Sequence, residues 1–415
     1  MKQNKPGRSR WPAIRSIFNK LHLWMGLASG LIVFVVCLSG TIYVFNQELI
    51  EWSAPHLYKV SHEKGAPRMA PDLLKTTVEQ ASGGTVTRVS IPAKLNKPYQ
   101  YSVKVEGDNS RGGISYMVNP YTGKILGNSK EELPMRTFMG YMFSLHRWLL
   151  LDKIEKPLIE GKTNLEVGRL INGWATILFT LGCITGLIIW FPNRVKSWKQ
   201  GLKIKRNAGW KRINHDLHNS LAFYSLFFLL LMGLTGPQWS FEWYRTGMQK
   251  TLGTYKEKTV SKESAKEKPQ IASEDNSRPV LSIADYMGIA DKALHYTGNY
   301  SISIPGTTDE VAAVSKTRIG FFAPAASDRV SIDKYSGEVT RKDIFREKPF
   351  NERVAGSIKA IHVGTVYGSF TKWIYFFVCL IATSLPVTGT LIWVNKLKKK
   401  RKRAVAFNVR KVQYA

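Results

Sequence analysis

Four histidines lie near the ends of four apolar segments, and this position suits them for binding a metal or a cofactor. The segments span roughly residues 21–45, 169–192, 217–240 and 371–394. Each is about as long as the ~20 residues that cross a bilayer core. The histidines are His22, His146, His218 and His362. Hydrocarbon penalises ionisable side chains at this depth, so histidines placed there are candidates for a functional role.

The spacing of the histidines indicates that they act in pairs. His22 lies 18 residues before Gly40, and His218 lies 18 residues before Gly236. If the two halves of the chain are related by a pseudo-twofold axis, these two histidines face each other across the inner end of a helical bundle. Two facing imidazoles can be the axial ligands of a haem iron, and bundle cores often hold such cofactors.

His146 and His362 each precede an even-numbered span on its outer side, and we expect them to form a second, outer pair. A single histidine at a membrane interface is more often a polar helix cap than a ligand. Matching positions in a repeated unit, two at each side, favour ligands over caps. The sequence therefore predicts haem-iron ligation by His22, His146, His218 and His362.

Four further residues near these pairs are candidates for contacts with the cofactor. His215 lies three residues before His218 and shares its helix face. It could be the inner ligand itself, a hydrogen-bond partner of a haem propionate, or solvent-exposed; the 18-residue spacing favours His218. Arg147 adjoins His146 and could neutralise a propionate, and Lys20 and Arg212 lie near the inner pair.

The formal net charge of +30 is concentrated at one side of the predicted membrane. Residues 1–20, 193–216 and 395–415 contain many Lys and Arg, and stretches 2–20, 194–212 and 396–411 contain no acid. The positive-inside rule places these segments in the cytoplasm, with both termini. Such basic rims contact anionic lipid headgroups, so the charge is explained without nucleic-acid binding.

This topology predicts a bundle of four transmembrane helices with two outer α+β domains and an internal two-fold repeat. The predicted order is a basic N-terminus (1–20), a span (21–45), an outer domain (46–168), a span (169–192), a basic loop (193–216), a span (217–240), a second outer domain (241–370), a span (371–394) and a basic tail (395–415).

The two outer domains show the same pattern of elements. Each begins with a helical stretch, at 72–81 and 281–296, followed by alternating strands at 100–105, 114–118 and 299–304. Each closes on an Asn/Asp-x-Tyr-Thr/Ser-Gly sequence, which is typical of a hairpin turn with a glycine at positive φ. Residues 252–279 are rich in Lys, Glu and Ser and suggest a solvated linker.

Several common sites are absent from the sequence. It has no G-x-G-x-x-G opening a βα unit, no P-loop and no H-E-x-x-H, and its three cysteines all lie within the spans. The inner loop of about 24 residues is too short for a reductase domain. Electrons must therefore come from a membrane quinol or a separate cytoplasmic protein, neither of which the sequence identifies.

The chain resembles the PepSY-associated transmembrane family of bacterial inner-membrane proteins over roughly residues 15–395. The residues that carry the resemblance are Lys20-Leu-His22-Leu-Trp-Met-Gly26, Leu145-His146-Arg147, His215-Asp-Leu-His218-Asn219, Ile361-His362-Val-Gly364, Asn119-Pro-Tyr-Thr-Gly123 and the Ser/Thr-Gly pairs near the span ends. Members of this family include di-haem ferric-siderophore reductases.

The resemblance implies PepSY-like outer domains, two b-type haems held by His22, His146, His218 and His362, and reduction of a ferric chelate at the periplasmic face. No catalytic residue beyond the haem ligands is expected. PepSY domains are also associated with protease inhibition, so a membrane-anchored regulatory protein without redox activity is the alternative.

Overall fold

The computed structural model describes residues 11–107, 112–191, 198–257, 279–306 and 309–413. Most of the predicted linker at 252–279 lies outside these ranges, as do the first ten residues and residues 192–197 of the basic loop. In chain order, the helices are α1 (Trp11–Tyr43), α2 (Asn46–Ser53), α3 (Pro55–Tyr58), α4 (Pro71–Ser82), α5 (Pro134–Trp148), α6 (Asn164–Trp190), α7 (Trp198–Gly201), α8 (Trp210–Thr235), α9 (Glu242–Thr251), α10 (Ile283–Ala293), α11 (Phe350–Val363) and α12 (Gly368–Gln413).

Among these, α1, α6, α8 and α12 are long and apolar enough to cross a membrane, so the chain is a multi-pass membrane protein. Helix α1 packs against α6 and α12, and α12 also packs against α8. Small hydroxyl residues are buried within the bundle, where they let the helix backbones approach closely; they include Ser29, Ser39, Thr180, Thr185 and Ser225.

Eight antiparallel strands form one continuous sheet. They are β1 (Thr85–Ile91), β2 (Tyr99–Lys104), β3 (Ile114–Val118), β4 (Ile125–Asn128), β5 (Gly298–Ser303), β6 (Val311–Arg318), β7 (Ser327–Asp333) and β8 (Val339–Asp343). Their spatial order is β4-β3-β2-β1-β5-β6-β7-β8, so β1 of the first half pairs with β5 of the second.

The sequence predicted two separate α+β domains. The structure instead has one sheet that both halves share. An unpaired edge strand exposes a row of backbone donors and acceptors, and the β1–β5 pairing removes one such edge from each half. Both helices that precede the strands, α4 and α10, pack on the same face of the sheet over one hydrophobic core. The Asp72 carboxylate of α4 accepts bonds from the Ile283 and Ala284 N–H groups at the start of α10, which joins the halves again.

The predicted hairpin turns are confirmed. Gly123 and Gly337 adopt φ values of 72° and 74°, and their N–H groups donate to the carbonyls of Asn119 and Asp333. The Asp333 carboxylate also accepts from the N–H groups of Tyr335 and Ser336. These bonds lower its pKa even though partial burial opposes the shift.

The sheet contacts the bundle at two places. Helices α2 and α3, which follow α1 directly, pack with Met117 of β3, and the loop between β6 and β7 contacts the start of α12 through the Phe370 N–H bond to the Phe321 carbonyl. We call the end of the bundle nearest the sheet the sheet side. The opposite end, where α6 ends and α8 begins, is the basic side.

Candidate functional site

The structure places the four predicted histidines in two facing pairs. On the basic side, His22 of α1 and His218 of α8 have ring centres 6.3 Å apart, with the ring planes at 79°. We call these two the basic-side pair. On the sheet side, His146 of α5 and His362 of α11 have ring centres 6.2 Å apart, with the planes at 60°. These form the sheet-side pair.

The sheet-side histidines lie on short helices that are separate from the membrane-spanning ones. Helix α5 ends just after His146, with Leu149 and Leu150 in the left-handed conformation, and α6 begins only at Asn164. Helix α11 ends just after His362, with Gly364 at a φ of 74°. The long segment between His146 and the second span is thus a turn that lets α5 return toward the bundle and place its histidine against α1.

Each histidine is held through Nδ1 by an oxygen from a different helix. His22 Nδ1 lies 3.0 Å from the Gly182 carbonyl and 3.2 Å from Thr185 Oγ1, and His146 Nδ1 lies 2.8 Å from the Val36 carbonyl. His218 Nδ1 lies 2.9 Å from Thr388 Oγ1, and His362 Nδ1 lies 3.0 Å from Thr235 Oγ1.

These bonds determine which ring nitrogen carries the proton. A carbonyl only accepts, so Nδ1 is the donor in His22 and His146. The hydroxyls of Thr388 and Thr235 already donate to carbonyls one turn earlier in their own helices, so they accept from His218 and His362. In all four rings Nε2 therefore keeps its lone pair, which is the arrangement of a metal-ligating histidine with its second nitrogen bound to protein.

A glycine lies against each of the four rings. A Cβ atom on Gly40 would lie 3.0 Å from Nδ1 and Cε1 of His146, and one on Gly186 would lie 3.2 Å from Cε1 of His22. Gly389 and Gly236 have the same relation to His218 and His362, at 3.2 and 3.5 Å. Each Ser/Thr-Gly pair therefore contacts one histidine. Its glycine leaves room for the imidazole ring, and in three of the four pairs its threonine hydroxyl accepts a hydrogen bond from the ring.

The 18-residue spacing now has a structural meaning. Helix α1 carries His22 at one end and, at the other, the glycine that faces His146. Helix α8 carries His218 and is followed directly by Gly236, which faces His362. At 1.5 Å of rise per residue, 18 residues separate the two pairs by ~27 Å along the helix. Each of these helices therefore contributes to both pairs.

A cavity of about 710 Å³ opens beside the basic-side pair, between α1, α6, α8 and α12. Its walls include His22, His218 and the glycines 26, 30, 182, 186 and 389, together with apolar and aromatic side chains such as Phe179, Trp190 and Phe223. Arg15, Lys20 and Lys396 lie at its lining and give it a positive end. The size and the charge suit a largely apolar molecule that carries anionic groups.

His215 is not part of the pair. It lines the same cavity, but its side chain is 49% exposed and lies next to Asn219 and Asp216. Its position allows a contact with a bound molecule at the cavity mouth and does not place it opposite His22. Arg212, another predicted neighbour, pairs with Asp216 instead.

Three side chains on α5 and α6 near the sheet-side pair each have a buried polar atom without a hydrogen-bond partner. Arg147 lies over the rings of Phe143 and Trp148, and its Nε is buried with no hydrogen-bond partner. The Nε of Arg169 and the Oδ1 of Asn172 on α6 are buried and unbonded as well. Burial and the nearby Arg169 lower the pKa of Arg147, and neither arginine has an ion pair with a described acidic residue.

Arg169 and Asn172 are residues that the sequence analysis missed. Asn172 donates to the backbone carbonyls of His146 and Arg147, and Thr176, one turn further along α6, lies beside Gly236. Positions 169, 172 and 176 share one helix face, so Arg169 lies on the α6 face that borders the sheet-side pair. Only the three-dimensional packing of α6 on α5 shows this, although an arginine near the start of an apolar span is a usable signal.

Among the described residues, no group of three or more His, Cys, Asp and Glu side chains is arranged to hold a metal ion. At each of the two places the described residues offer two imidazoles. The three cysteines are free thiols in the bundle interior, two of them partly buried and Cys379 buried.

These features define a multi-pass membrane protein with two imidazole pairs, one toward each end of its bundle. The sequence matches the family described as the PepSY-associated TM region over residues 19–396, and the chain belongs to this family. None of the curated proteins compared with the sequence matches it.

Proposed function

We propose that the protein is a di-haem electron conduit of the bacterial inner membrane that reduces ferric iron, held by a chelate such as a siderophore, at the periplasmic face. The observation that carries this proposal is the pair geometry: four imidazoles in two facing pairs, each fixed through Nδ1 with Nε2 free. A structural role in helix packing does not require imidazoles to face each other at both ends of the bundle.

The distances within the pairs fit one metal ion between two imidazoles. A metal–nitrogen bond of about 2 Å on each side, with about 1 Å from each nitrogen to its ring centre, separates the ring centres by about 6 Å. The observed separations are 6.3 and 6.2 Å. The chain has no C-x-x-C-H sequence for covalent attachment, so non-covalent, b-type haems suit it.

The surrounding residues fit the rest of such a cofactor. On the basic side, the cavity beside His22 and His218 has volume for a cofactor, and Lys20 and Lys396 in its lining could neutralise carboxylates. On the sheet side, Arg147 and Arg169, whose Nε atoms are buried without a hydrogen-bond partner, could neutralise carboxylates in the same way. Haem, when bound, would supply reversible one-electron transfer. His22, His218, His146 and His362 would hold it, and their Nδ1 bonds would tune the basicity of the imidazoles.

The charge distribution supports the direction of electron flow. Basic residues crowd the ends of α6, α8 and α12 on the basic side, which the positive-inside rule assigns to the cytoplasm, with both termini and in contact with anionic lipid headgroups. An electron lost by a cytoplasmic protein or a membrane quinol then reaches ferric iron on the sheet side. The resulting Fe(II) is held less tightly by hard oxygen ligands and leaves the chelate.

The sequence pattern and the fold also support a finer assignment within the family. In each half, four strands follow one helix along the chain: β1 to β4 in the first half and β5 to β8 in the second. The two sets of strands extend in opposite directions from the β1–β5 pair. This fits an internal two-fold repeat with two PepSY-like units joined at their edges. The ferric-siderophore reductases are the members of the family that such a di-haem arrangement resembles.

The test begins with the absorbance of the purified protein and its haem content. We expect a Soret band, sharp α and β bands after dithionite reduction, and two haems per chain in a pyridine haemochrome assay. Stopped-flow mixing of the reduced protein with ferric chelates, with an Fe(II) trap to report product, should reoxidise it. His146→Ala and His362→Ala should stop this reoxidation while the basic-side haem stays reducible.

A colourless protein would instead support a membrane-anchored PepSY protein with a regulatory, protease-inhibitor-like role. A protein that carries both haems but is not reoxidised by any ferric chelate would be a conduit to a different acceptor.

A further inference from the structure

One face of the eight-stranded sheet is covered by α4 and α10, and on the opposite face α2 and α3 pack around Met117 at the β3 end and leave the strands beyond it open. Side chains alternate along each strand, and those of one face form the core beneath α4 and α10. On β1, for example, Val89 and Ile91 belong to that core, whereas Arg88 is exposed and Ser90 is half-buried. The open face is therefore formed by the alternate residues of the strands.

The residues of the open face lie in two adjacent rows that cross the junction between the halves. Strand pairing gives their order directly. The first row is Gln100, Ser90, Ser301, Ser315, Arg329 and Asp343. The second row is Ser115, Ser102, Arg88, Ser303, Ala313, Ser331 and Arg341.

The composition of these rows differs from that of an ordinary solvent-facing sheet. Exposed strands usually favour threonine, valine and aromatic residues. Here seven serines form a flat surface of short hydroxyl groups. Three arginines project from this surface, and it contains one acidic residue. We call this surface the Ser/Arg face.

Arg88 lies at its centre. It is exposed, its direct cross-strand neighbours are Ser102 and Ser303, and no described acidic side chain pairs with it. Arg341 likewise has no ion pair among the described residues, and Arg329 bonds only weakly with Ser315, at 3.4 Å. The guanidinium groups are thus available to an external anion.

The Ser/Arg face lies on the side of the sheet that meets the bundle. Met117 is the cross-strand neighbour of Gln100, the residue that begins the first row. It packs against α2 and α3, which follow α1 directly. At the other half of the sheet, the β6–β7 loop contacts the start of α12. The face is therefore held between two attachments to the sheet side of the bundle.

We infer that the Ser/Arg face is the docking site of an anionic ferric chelate whose surface consists of oxygen atoms, such as a tris-catecholate or a hydroxycarboxylate. Guanidinium groups bind anionic oxygens with paired N–H donors, and serine hydroxyls donate to the remaining ones. The face has little apolar area for a hydrophobic partner. This inference rests on the proposed function for its substrate class, and it adds the place and charge of that substrate.

The experiment measures binding of redox-inert gallium(III) chelates to the full-length protein in nanodiscs by isothermal titration calorimetry. The probes are an anionic gallium tris-catecholate and the cationic gallium complex of desferrioxamine B. The variants are Arg88→Ser, Arg329→Ser, Arg341→Ser and the triple variant that combines them. Serine is chosen because it matches the neighbouring serines of the face. We expect the Kd of the anionic complex to rise roughly tenfold for Arg88→Ser and further for the triple variant, and to rise with salt.

Arg346→Ser is the matched control, because Arg346 is an exposed arginine of the same domain outside the two rows. It should leave the Kd unchanged, and unaltered circular dichroism should confirm that every variant is folded. The inference is overturned if the wild-type protein does not bind the anionic complex, if it prefers the cationic complex, or if Arg88→Ser and Arg346→Ser have equal effects.

The outcomes separate the inference from the proposed function. Reoxidation of the reduced protein by the ferric tris-catecholate with the same half-saturating concentration in wild type and triple variant would overturn the docking site alone. Arginine-dependent binding of the gallium complex to a protein that ferric chelates do not reoxidise would overturn the ferric-reductase proposal and leave the docking site standing.

Discussion

The Nδ1 hydrogen bond is the feature that makes each of the four histidines suited to ligation. It fixes the tautomer and the ring orientation, and it leaves Nε2 free to face the partner ring. Two of the acceptors are backbone carbonyls and three are threonine hydroxyls that already donate elsewhere, since His22 contacts both the Gly182 carbonyl and the Thr185 hydroxyl. A change at any acceptor should alter the properties of the ligand without removing it.

His218→Ala should abolish the basic-side haem, whereas His215→Ala should only perturb its spectrum. His218 faces His22, and His215 is half exposed at the mouth of the cavity. The pyridine haemochrome assay should give one haem per chain for the first variant and two for the second. If His215→Ala loses a whole haem and His218→Ala keeps both, the assignment of the pair is wrong.

Thr388→Val should raise the midpoint potential of the basic-side haem by on the order of tens of millivolts. Loss of the acceptor makes the His218 imidazole less basic, which favours the reduced iron. Spectroelectrochemical titration measures the shift. Thr383→Val is the control, because Thr383 is a buried threonine of the same helix that bonds only the Cys379 carbonyl. An equal shift in both variants would show that the Thr388 hydroxyl has no specific effect.

At the residue scale, the sequence could predict the ligands but not everything around them. The equal spacing from His22 to Gly40 and from His218 to Gly236 is readable without a structure. The reason for that spacing is not readable, because each glycine serves the histidine of the other pair. Arg169 and Asn172 were missed because only the packing of α6 on α5 brings them beside His146.

At the scale of elements, each helix that carries one of the four histidines packs against a helix that has a glycine at the contact. Helix α6 receives His22, α12 receives His218, α1 receives His146, and the end of α8 receives His362. At Gly40, Gly186 and Gly389 a Cβ lies only 3.0–3.2 Å from the imidazole, so a larger side chain crowds the ring. Interiors tolerate such overpacking poorly, at a cost of about 1–3 kcal/mol.

Gly40→Val should displace His146 and weaken or remove the sheet-side haem while the basic-side haem remains. Even a Cβ at this position lies 3.0 Å from the ring. The low-spin signals of the two haems in electron paramagnetic resonance, with the haem count, report the loss. Gly140→Val on α5 is the control, since a Cβ there meets no atom within 4 Å. Two intact haems in Gly40→Val would contradict the predicted steric role of this glycine.

The elements of the sheet show how far local pattern extends. Strands predicted at 100–105, 114–118 and 299–304 lie at 99–104, 114–118 and 298–303, and the helix predicted at 72–81 spans 71–82. Alternation and turn chemistry are local, so they could be read from the sequence. The β1–β5 pairing joins segments about 200 residues apart, and nothing local distinguishes two separate four-stranded sheets from one of eight strands.

At the scale of the whole molecule, the two pairs and the sheet give the chain a polarity from one end of the bundle to the other. The basic-side pair opens to a cavity with a cationic lining, and the sheet-side pair lies beneath the sheet. The apolar middle of the bundle, built around Leu229, Val378, Ala382 and Leu385, separates them. The proposed transfer of electrons across the membrane requires that the two ends face different compartments.

The last prediction concerns which end faces which compartment. In a variant whose three native cysteines are replaced by alanine, Lys130→Cys and Lys402→Cys each place one exposed thiol, on the sheet domain and on the end of α12, respectively. A membrane-impermeant maleimide should label Lys130→Cys in intact spheroplasts and Lys402→Cys only after the membrane is permeabilised, because clusters of Lys and Arg stay in the cytoplasm. The two positions replace the same residue type, so unequal labelling reports location.

Labelling of Lys402→Cys alone in intact spheroplasts would show that the topology is reversed. The sheet and its histidine pair would then face the cytoplasm, and reduction of an external ferric chelate would be excluded.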